Sequence, residues 1–519
     1  MKRNLRAAFV VFLSLLTLAA CGGGGGGGGT TPDTTPPTVS PTSPLNNATN
    51  VAINADITAT FSESMMAGSI TPATFTLSDG INGVAGAVSY SGTTATFNPA
   101  ADLAYATTYI ATIITGVTDA AGNPLAASYT WSFKTRAGHN DTGITAAQCY
   151  TTGSDVLVTC NDAGATALNN AQDGMTGRDT NAANNDNADG RLGFSFAKVC
   201  NSGELAGSGA CPANPTLGVT ANTWGCTYDK ITGLMWEVKT TGGVDDLRDQ
   251  NKTYTNLDST TADQQGDGTP PRVGEIYAAT NSVGFMDAVN ASGLCGHNDW
   301  RLPSTDELHS IVDYGILDLS IDAIWFPNTS SDSYWSASPY VANPANAWFV
   351  GFAHGGIGGS AATGTRTNSH YVRLVRGEAM PPKSYAISAD GQEVTDQATG
   401  LVWRRCVEGM NWDAGAANCT GAAATYAHEG ALVHATNQAG AALWRLPSVK
   451  ELASIVDRSI AGPAIDPAAF PATPADYFWS VSPFRRYPDN AWVVRFGDGV
   501  VIFDPRIHSH YVRLVRAGQ

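Results

Sequence analysis

Positive charge is what this 519-residue chain has least of. Lys and Arg number 29 against 45 Asp and Glu, the net charge is −16, and charged residues of both signs make up 14%. Nonspecific binding to nucleic acid, which needs a basic face, is excluded. Beyond the first two dozen residues no apolar run approaches the roughly 20 residues that cross a hydrocarbon core as a helix. No CxxC pair occurs and the nine histidines are scattered, so the usual spacing of structural zinc ligands is missing. Gly (56 residues), Ser, Thr, Asn and Ala are plentiful instead. That is the composition of extracellular β-rich proteins, and the length suggests three to four domains.

The chain opens with Lys2, Arg3 and Arg6, then an apolar run from Ala7 to Leu18 about a dozen residues long. This is the pattern of a secretory signal. Leu18, Ala19, Ala20 and Cys21 resemble the bacterial lipobox, which implies cleavage after residue 20 and lipid on Cys21. Membrane attachment would then come through that lipid alone, each buried methylene adding about 0.8 kcal/mol. Gly22 after the cysteine, in place of an aspartate, implies by the same resemblance the outer membrane or cell surface. Residues 21–35, with glycine from Gly22 to Gly29 and then Thr and Pro, read as a solvated tether.

Setting Cys21 aside leaves eight cysteines in an oxidising compartment, where disulfides are the default. Proximity pairs Cys149 with Cys160, Cys200 with Cys211, Cys226 with Cys295 and Cys406 with Cys419, out of 105 connectivities.

Residues 36–135 alternate in short runs, INADITATF, ATFTLSD, GAVSY, TATFNPA, TYIATIITGV and SYTWSF, separated by turn residues. The spacing predicts an all-β sandwich. FSESM, DAAGNPL and the closing WSF resemble the SbsA-type bacterial Ig-like domain. The resemblance implies a spacer without catalytic residues, with Trp131 and Phe133 as alternate core positions of a last strand. Residues 136–225 read as a polar, cysteine-containing connector or as an extension of the domain that begins near Cys226. Asp179, Asn181, Asp186 and Asp189 there offer hard oxygen ligands that calcium would accept, against the plainer reading of an Asx-rich turn. Calcium is the one cofactor the sequence suggests.

The remainder is a repeat. WRLPSTDELHSIVD at 300–313 returns as WRLPSVKELASIVD at 444–457, 144 positions on, and the same shift carries Trp335 onto Trp479 and Trp348 onto Trp492. TGLMW at 232–236 answers TGLVW at 399–403, and NSHYVRLVR at 368–376 answers HSHYVRLVR at 508–516. The C-terminal half is thus two copies of one domain, 226–378 and 383–519.

Ser304 with Glu307, and Ser448 with Glu451, fit the capping box. Apolar Leu308, Ile311 and Val312, and Leu452, Ile455 and Val456, continue at helical spacing. Arg301 and Arg445 stand where they can pair with those glutamates. A general-acid role for Glu307 or Glu451 has no second carboxylate or nucleophile travelling with it in both copies. The YVRLVR runs read as period-two final strands, and the repeated tryptophans as core or its edge.

The ordered series TGLMW, WRLPS…EL, YWSAS, AW and HYVRLVR resembles the family of the C-terminal domain of the Legionella collagen-like adhesin (Lcl_C), in both copies. The wider resemblance is to C-type-lectin-like and formylglycine-generating-enzyme-like folds. It implies two tandem α+β domains that bind surface glycans, often sulfated, or matrix in adhesion. The enzyme branch would need two late cysteines; here Cys295 and Cys419 both precede the WRLPS helices, so an enzyme is not expected. The alternative is a structural envelope protein whose tandem modules bind another protein, and oligomerisation is left open.

The copies differ in charge. The first carries 9 Lys and Arg against 18 Asp and Glu, the second 12 against 13, so an anionic ligand is expected on the second. Arg404, Arg405, Arg485 and Arg486 are its candidate ligands, with Tyr487 as a stacking surface and Trp492 and Trp348 as further candidates for sugar stacking.

Overall fold

The computed structural model describes residues 32–178, 188–243, 246–259, 264–265, 270–359, 364–438, 440 and 443–517. Cys21 lies outside the described residues.

Each of the six alternating runs near the N-terminus forms a strand, and two more join them. They are β1 (Val39–Ser43), β2 (Ala48–Val51), β3 (Ile57–Phe61), β4 (Phe75–Ser78), β5 (Gly86–Ser91), β6 (Thr94–Pro99), β7 (Thr108–Ile113) and β8 (Tyr129–Thr135). Two four-stranded sheets result, in the orders β1-β3-β6-β5 and β2-β8-β7-β4. Alternation decides the layering: Ile57, Ala59 and Phe61 of β3, and Trp131 and Phe133 of β8, turn into one core with Phe75 and Phe97. This is an Ig-like sandwich.

The connector divides. Its first part, 137–178, carries a short helix α1 (Ala163–Leu168), capped by the Asp162 side chain, and packs on the second repeat. Tyr150 donates its hydroxyl to the Asn490 carbonyl, Asn169 donates to that of Leu432, and Tyr150 and Leu168 share a core with Leu432 and Trp479. Its later part gives β9 (Phe196–Cys200), which pairs into the first repeat.

The first repeat continues with β10 (Trp224–Asp229), β11 (Met235–Glu237), α2 (Val273–Ile276), α3 (Ser282–Ser292), α4 (Thr305–Ser310), β12 (Ser333–Pro339), β13 (Ala347–Gly351), β14 (Gly356–Gly358) and β15 (Val375–Arg376). The second has β16 (Tyr385–Ile387), β17 (Glu393–Asp396), β18 (Val402–Arg404), β19 (Met410–Asp413), β20 (Asn418–Gly421), β21 (Thr425–Tyr426), α5 (His428–Gln438), α6 (Val449–Ser454), β22 (Tyr477–Pro483), β23 (Asn490–Arg495), β24 (Val500–Pro505), β25 (His510–Tyr511) and β26 (Val515–Arg516). Each repeat builds one four-stranded sheet, β15-β11-β10-β9 or β16-β17-β18-β26, and the second adds the two-stranded β19-β20.

Both capping boxes form. Ser304 and Ser448 accept from the amides of Glu307 and Glu451, whose carboxylates reach back to the serine amides. Arg301 and Arg445 grip those carboxylates through both guanidinium nitrogens at 2.6 and 2.7 Å. That fixes each glutamate as a structural group. The closing YVRLVR runs depart from the expected alternation. Only Val375–Arg376 in the first run, and Tyr511 and Val515–Arg516 in the second, are strand, and Val372, Arg373, Leu374 and Val375 are all buried. The reason is Arg373, whose guanidinium is consumed indoors by the Glu237 carbonyl and the Thr329 hydroxyl over the Phe326 ring. Arg513 does the same with the Arg404 and Arg405 carbonyls and Thr473.

The two repeats share one eight-stranded sheet, β12-β13-β14-β24-β23-β22-β25-β21, closed in its middle by β14 against β24. Contacts across the joint are reciprocal. Tyr314 packs edge-on against Trp492 at 4.7 Å, while Arg458, its counterpart, sits 5.2 Å over the ring of Trp348, the counterpart of Trp492. Tyr314 donates to the Gly355 carbonyl and Arg458 to that of Gly499, again counterparts. Gly355 and Gly499 have φ of +87° and +96°, and a Cβ there would stand 2.6 and 2.7 Å from Val312 and Val456. Both hairpins therefore require glycine.

Candidate functional site

The four disulfides are Cys149–Cys160, Cys200–Cys211, Cys226–Cys295 and Cys406–Cys419, the pairs proximity suggests. The last has a positional consequence. Cys406 comes just after β18 and Cys419 lies in β20, so the bond holds the β19–β20 hairpin against the body of the second repeat. That hairpin carries Trp412, partly exposed, over a groove of about 560 Å³.

The groove has aromatic walls and a charged floor. Tyr426 and Trp444 line it with Trp412, and Arg404, Glu408, His434 and Gln438 lie beneath. Glu408 is buried and takes three hydrogen bonds. Arg404 Nη1 donates to both of its oxygens at 3.1 Å, and His434 Nε2 donates to Oε2 at 2.8 Å. Arg404 also donates to the Gln438 side-chain oxygen at 3.0 Å and lies 5.2 Å over the Trp444 ring. The His434 ring stacks on Tyr426 with centroids 4.7 Å apart. A carboxylate, a guanidinium and an amide held rigid beside aromatic faces suit a ligand that offers hydroxyls on one edge and C–H groups on its face.

The first repeat does not repeat these groups in its sequence. The counterpart of Arg404 is Glu237, buried and paired with Lys239 at 2.8 Å, and Lys239 occupies the place of Cys406.

The arginine cluster expected from sequence does not assemble. Arg404 belongs to the groove, but Arg405 beside it is buried, stacked 3.7 Å over Trp412 and bonded to the carbonyls of Gly391, Ala468 and Ala469. Its guanidinium is spent on the backbone and cannot meet a ligand. Arg485 and Arg486 share no partner with either. Arg485 donates to the Gly315 carbonyl and Arg486 pairs with Asp318 at 2.8 Å, both in the first repeat. They cross the joint between copies, with Tyr487 exposed beside them. Trp348 and Trp492 are each 1% exposed and sit in the core, so sugar stacking by either is ruled out. Asp179, Asn181 and Asp186 lie outside the described residues. Asp189 is described, and its carboxylate accepts from Ser195 and pairs with Lys230 at 3.1 Å.

Sequence reasoning missed Glu408, His434, Gln438 and Trp412. None repeats in the first copy, so the repeated motifs did not point to them. Their signal was their absence from the shared scaffold, which Arg404 shares, since Glu237 stands in its place in the first copy.

A second concentration of charge lies at the joint, around two adjoining hollows of about 90 and 350 Å³ lined by the connector, α4 and α6. Asp306 pairs there with Lys383 at 2.9 Å and Arg458 at 2.6 Å. Burial works to raise its pKa, but the two cations hold it at about 2. Lys450 stands where Asp306 stands in the first copy. It donates to the carbonyls of Asp141 and Ser310, and burial pushes its ammonium down to about 7 against the pull of Asp313 and Asp141. Asp306 meets two cations of the second repeat, and Lys450 meets the Ser310 carbonyl of the first, so both fasten the two copies.

The sequence model of the Lcl C-terminal domain matches residues 225–376 and 392–516, and that of a bacterial Ig-like domain matches residues 33–135. No curated protein matches the chain. Among solved structures, the N-terminal part of the bacterial S-layer protein SbsC is 19% identical over 22% of this chain and 29% of its own, with a TM-score of 0.16. Native E. coli alpha-2-macroglobulin is 19% identical over 23% of this chain and 7% of its own, with a TM-score of 0.17. Among the described residues no helix is long and apolar enough to cross a membrane.

Proposed function

Because the chain belongs to the Lcl C-terminal domain family and carries two copies of that domain behind an Ig-like module, we propose that it is a surface adhesin that binds carbohydrate in the groove of its second repeat. The observation that carries this reading is the groove itself, in which Trp412 and Tyr426 flank the Arg404–Glu408–His434 network. Its charges are balanced, so the favoured ligand is a neutral or weakly charged sugar. A strongly sulfated one would need cations that are not already paired. The work done is binding, without catalysis.

In this reading Cys21 carries the lipid, the glycine-rich tether gives reach, and the Ig-like domain is a spacer. The two repeats take the C-type-lectin-like or formylglycine-generating-enzyme-like type, as the WRLPS helices suggest. The test is a glycan array probed with the chain from residue 32 onward, beside its Trp412→Ala variant. Discrete hits that the variant loses are expected. An array that stays silent while another protein co-purifies would move the reading to an envelope protein that binds protein.

A further inference from the structure

Asp504, His508 and His510 bring one carboxylate oxygen and two imidazole nitrogens within 4.8 Å of one another. His508 Nδ1 and His510 Nε2 both donate to the same atom, Asp504 Oδ2, each at 2.7 Å. Three elements build the constellation. Asp504 is fixed on β24 opposite Ala491. The chain then turns back, with the His508 amide donating to the Pro505 carbonyl at 2.9 Å. His510 is held in β25, paired with Tyr426, its ring 4.7 Å from Trp479 and 5.4 Å from Tyr477.

We propose that these three residues form a site for a divalent transition metal of the zinc class. Two nitrogens and one oxygen suit such an ion, whereas calcium and magnesium ask for six or more oxygens. Binding needs the lone pair on the nitrogen that now carries the proton, so each neutral ring changes tautomer. His508 loses the proton at Nδ1 and takes one from solvent at Nε2, His510 loses it at Nε2 and takes one at Nδ1, with no net release, and the carboxylate, already a proton acceptor, becomes a ligand. Tetrahedral bonds of about 2.0–2.1 Å set ligand atoms roughly 3.3 Å apart, so each 2.7 Å contact must open by about half an ångström. The side chains of His508, 54% exposed, and Asp504, 29% exposed, can supply that movement, while His510 at 13% is the fixed post. Exposure on the His508 side leaves room for water as fourth ligand.

Local charge does not oppose a cation. Arg506, the nearest base along the chain, points away, paired with Asp155, bonded to the Ser154 carbonyl and stacked 3.8 Å over Tyr150. The site is peculiar to the second repeat. The first keeps His370 in the place of His510 but has Asn368 in the place of His508, and position 504 answers Ser360 or Gly364, according to where the four-residue gap is placed.

The experiment is titration calorimetry of the untagged, chelator-stripped chain from residue 32 onward with zinc chloride, repeated with cobalt(II) to read geometry from its visible spectrum. One equivalent is expected to bind, with a tetrahedral cobalt spectrum. His508→Ala and Asp504→Asn should each weaken binding at least about tenfold, with the far-ultraviolet dichroism of both variants unchanged. Absence of a one-equivalent event in the parent overturns the proposal. So does an affinity that His508→Ala leaves as it was.

Discussion

Ile357 pairs across the molecule with Val501, the residue that holds its own place 144 positions later in the second copy. An antiparallel pairing of counterparts is what a two-fold axis produces. The reciprocal contacts of Tyr314 with Trp492 and of Arg458 with Trp348 obey the same operator. The tandem repeats therefore meet as the halves of an isologous dimer do, within one chain and with one copy free to diverge.

Ile357 is 2% exposed and Val501 1%, so the joint is a dry contact. Ile357→Ala should cost about 2–5 kcal/mol and separate the melting of the repeats, which share a core in the parent. Differential scanning calorimetry of the chain from residue 32 onward checks this. A shift of well under 1 kcal/mol with one undivided transition would show that the repeats are held elsewhere.

Ser448 caps α6, its hydroxyl accepting from the Glu451 amide at 3.3 Å. Ser448→Ala should lower stability by about 1 kcal/mol and leave sugar binding intact, because Ser448 is not among the residues that line the groove. Urea melts and a binding assay on the same sample read both outcomes.

Asp173 is buried, accepting from Thr142 at 2.9 Å and from Ser482. Burial, with Asp141 nearby, pushes its pKa up to about 7, although both hydrogen bonds pull the other way. The unfolded chain releases that proton near pH 4. Its contribution to stability is therefore full below about pH 4 and lost as pH rises through 7. Urea melts of the parent should show a fall in stability between about pH 5 and 7.5, and Asp173→Asn should flatten it. Parallel slopes in parent and variant would mean that another group governs it.

Trp412 is the aromatic wall that the Cys406–Cys419 bond positions. Trp412→Ala should weaken any sugar found on the array by about tenfold, and reduction of the disulfides should weaken it in the parent as well. Changing Arg486 to Ser should do neither, and should move stability by less than about 1 kcal/mol, since its pairing with Asp318 is exposed.

Cys21→Ala should release the chain from membranes if lipid on that thiol is what holds it. Fractionation of cells expressing the variant decides between this and retention by some other segment.

Short-range features were readable in the sequence because short-range physics fixes them. Alternation wrote the strands of the Ig-like module, since a residue's side of a sheet is set by its parity. Ser-x-x-Glu wrote both helix starts, since the cap joins groups three residues apart. The disulfides came from proximity, and the repeat from self-comparison.

What the tertiary structure decided is where each arginine spends its guanidinium and which faces meet. Arg405 and Arg485 look alike in sequence, each half of an arginine pair. One is sealed over Trp412 by backbone carbonyls and the other bridges to the first repeat, because those carbonyls arrive from loops 14 to about 170 residues away. The burial of Arg373 and Trp348, the joining of β14 to β24, and the meeting of Asp504 with His508 and His510 are of the same kind. Each depends on backbone groups or side chains brought together by strand pairing and chain reversal, whose register no local pattern of residues specifies.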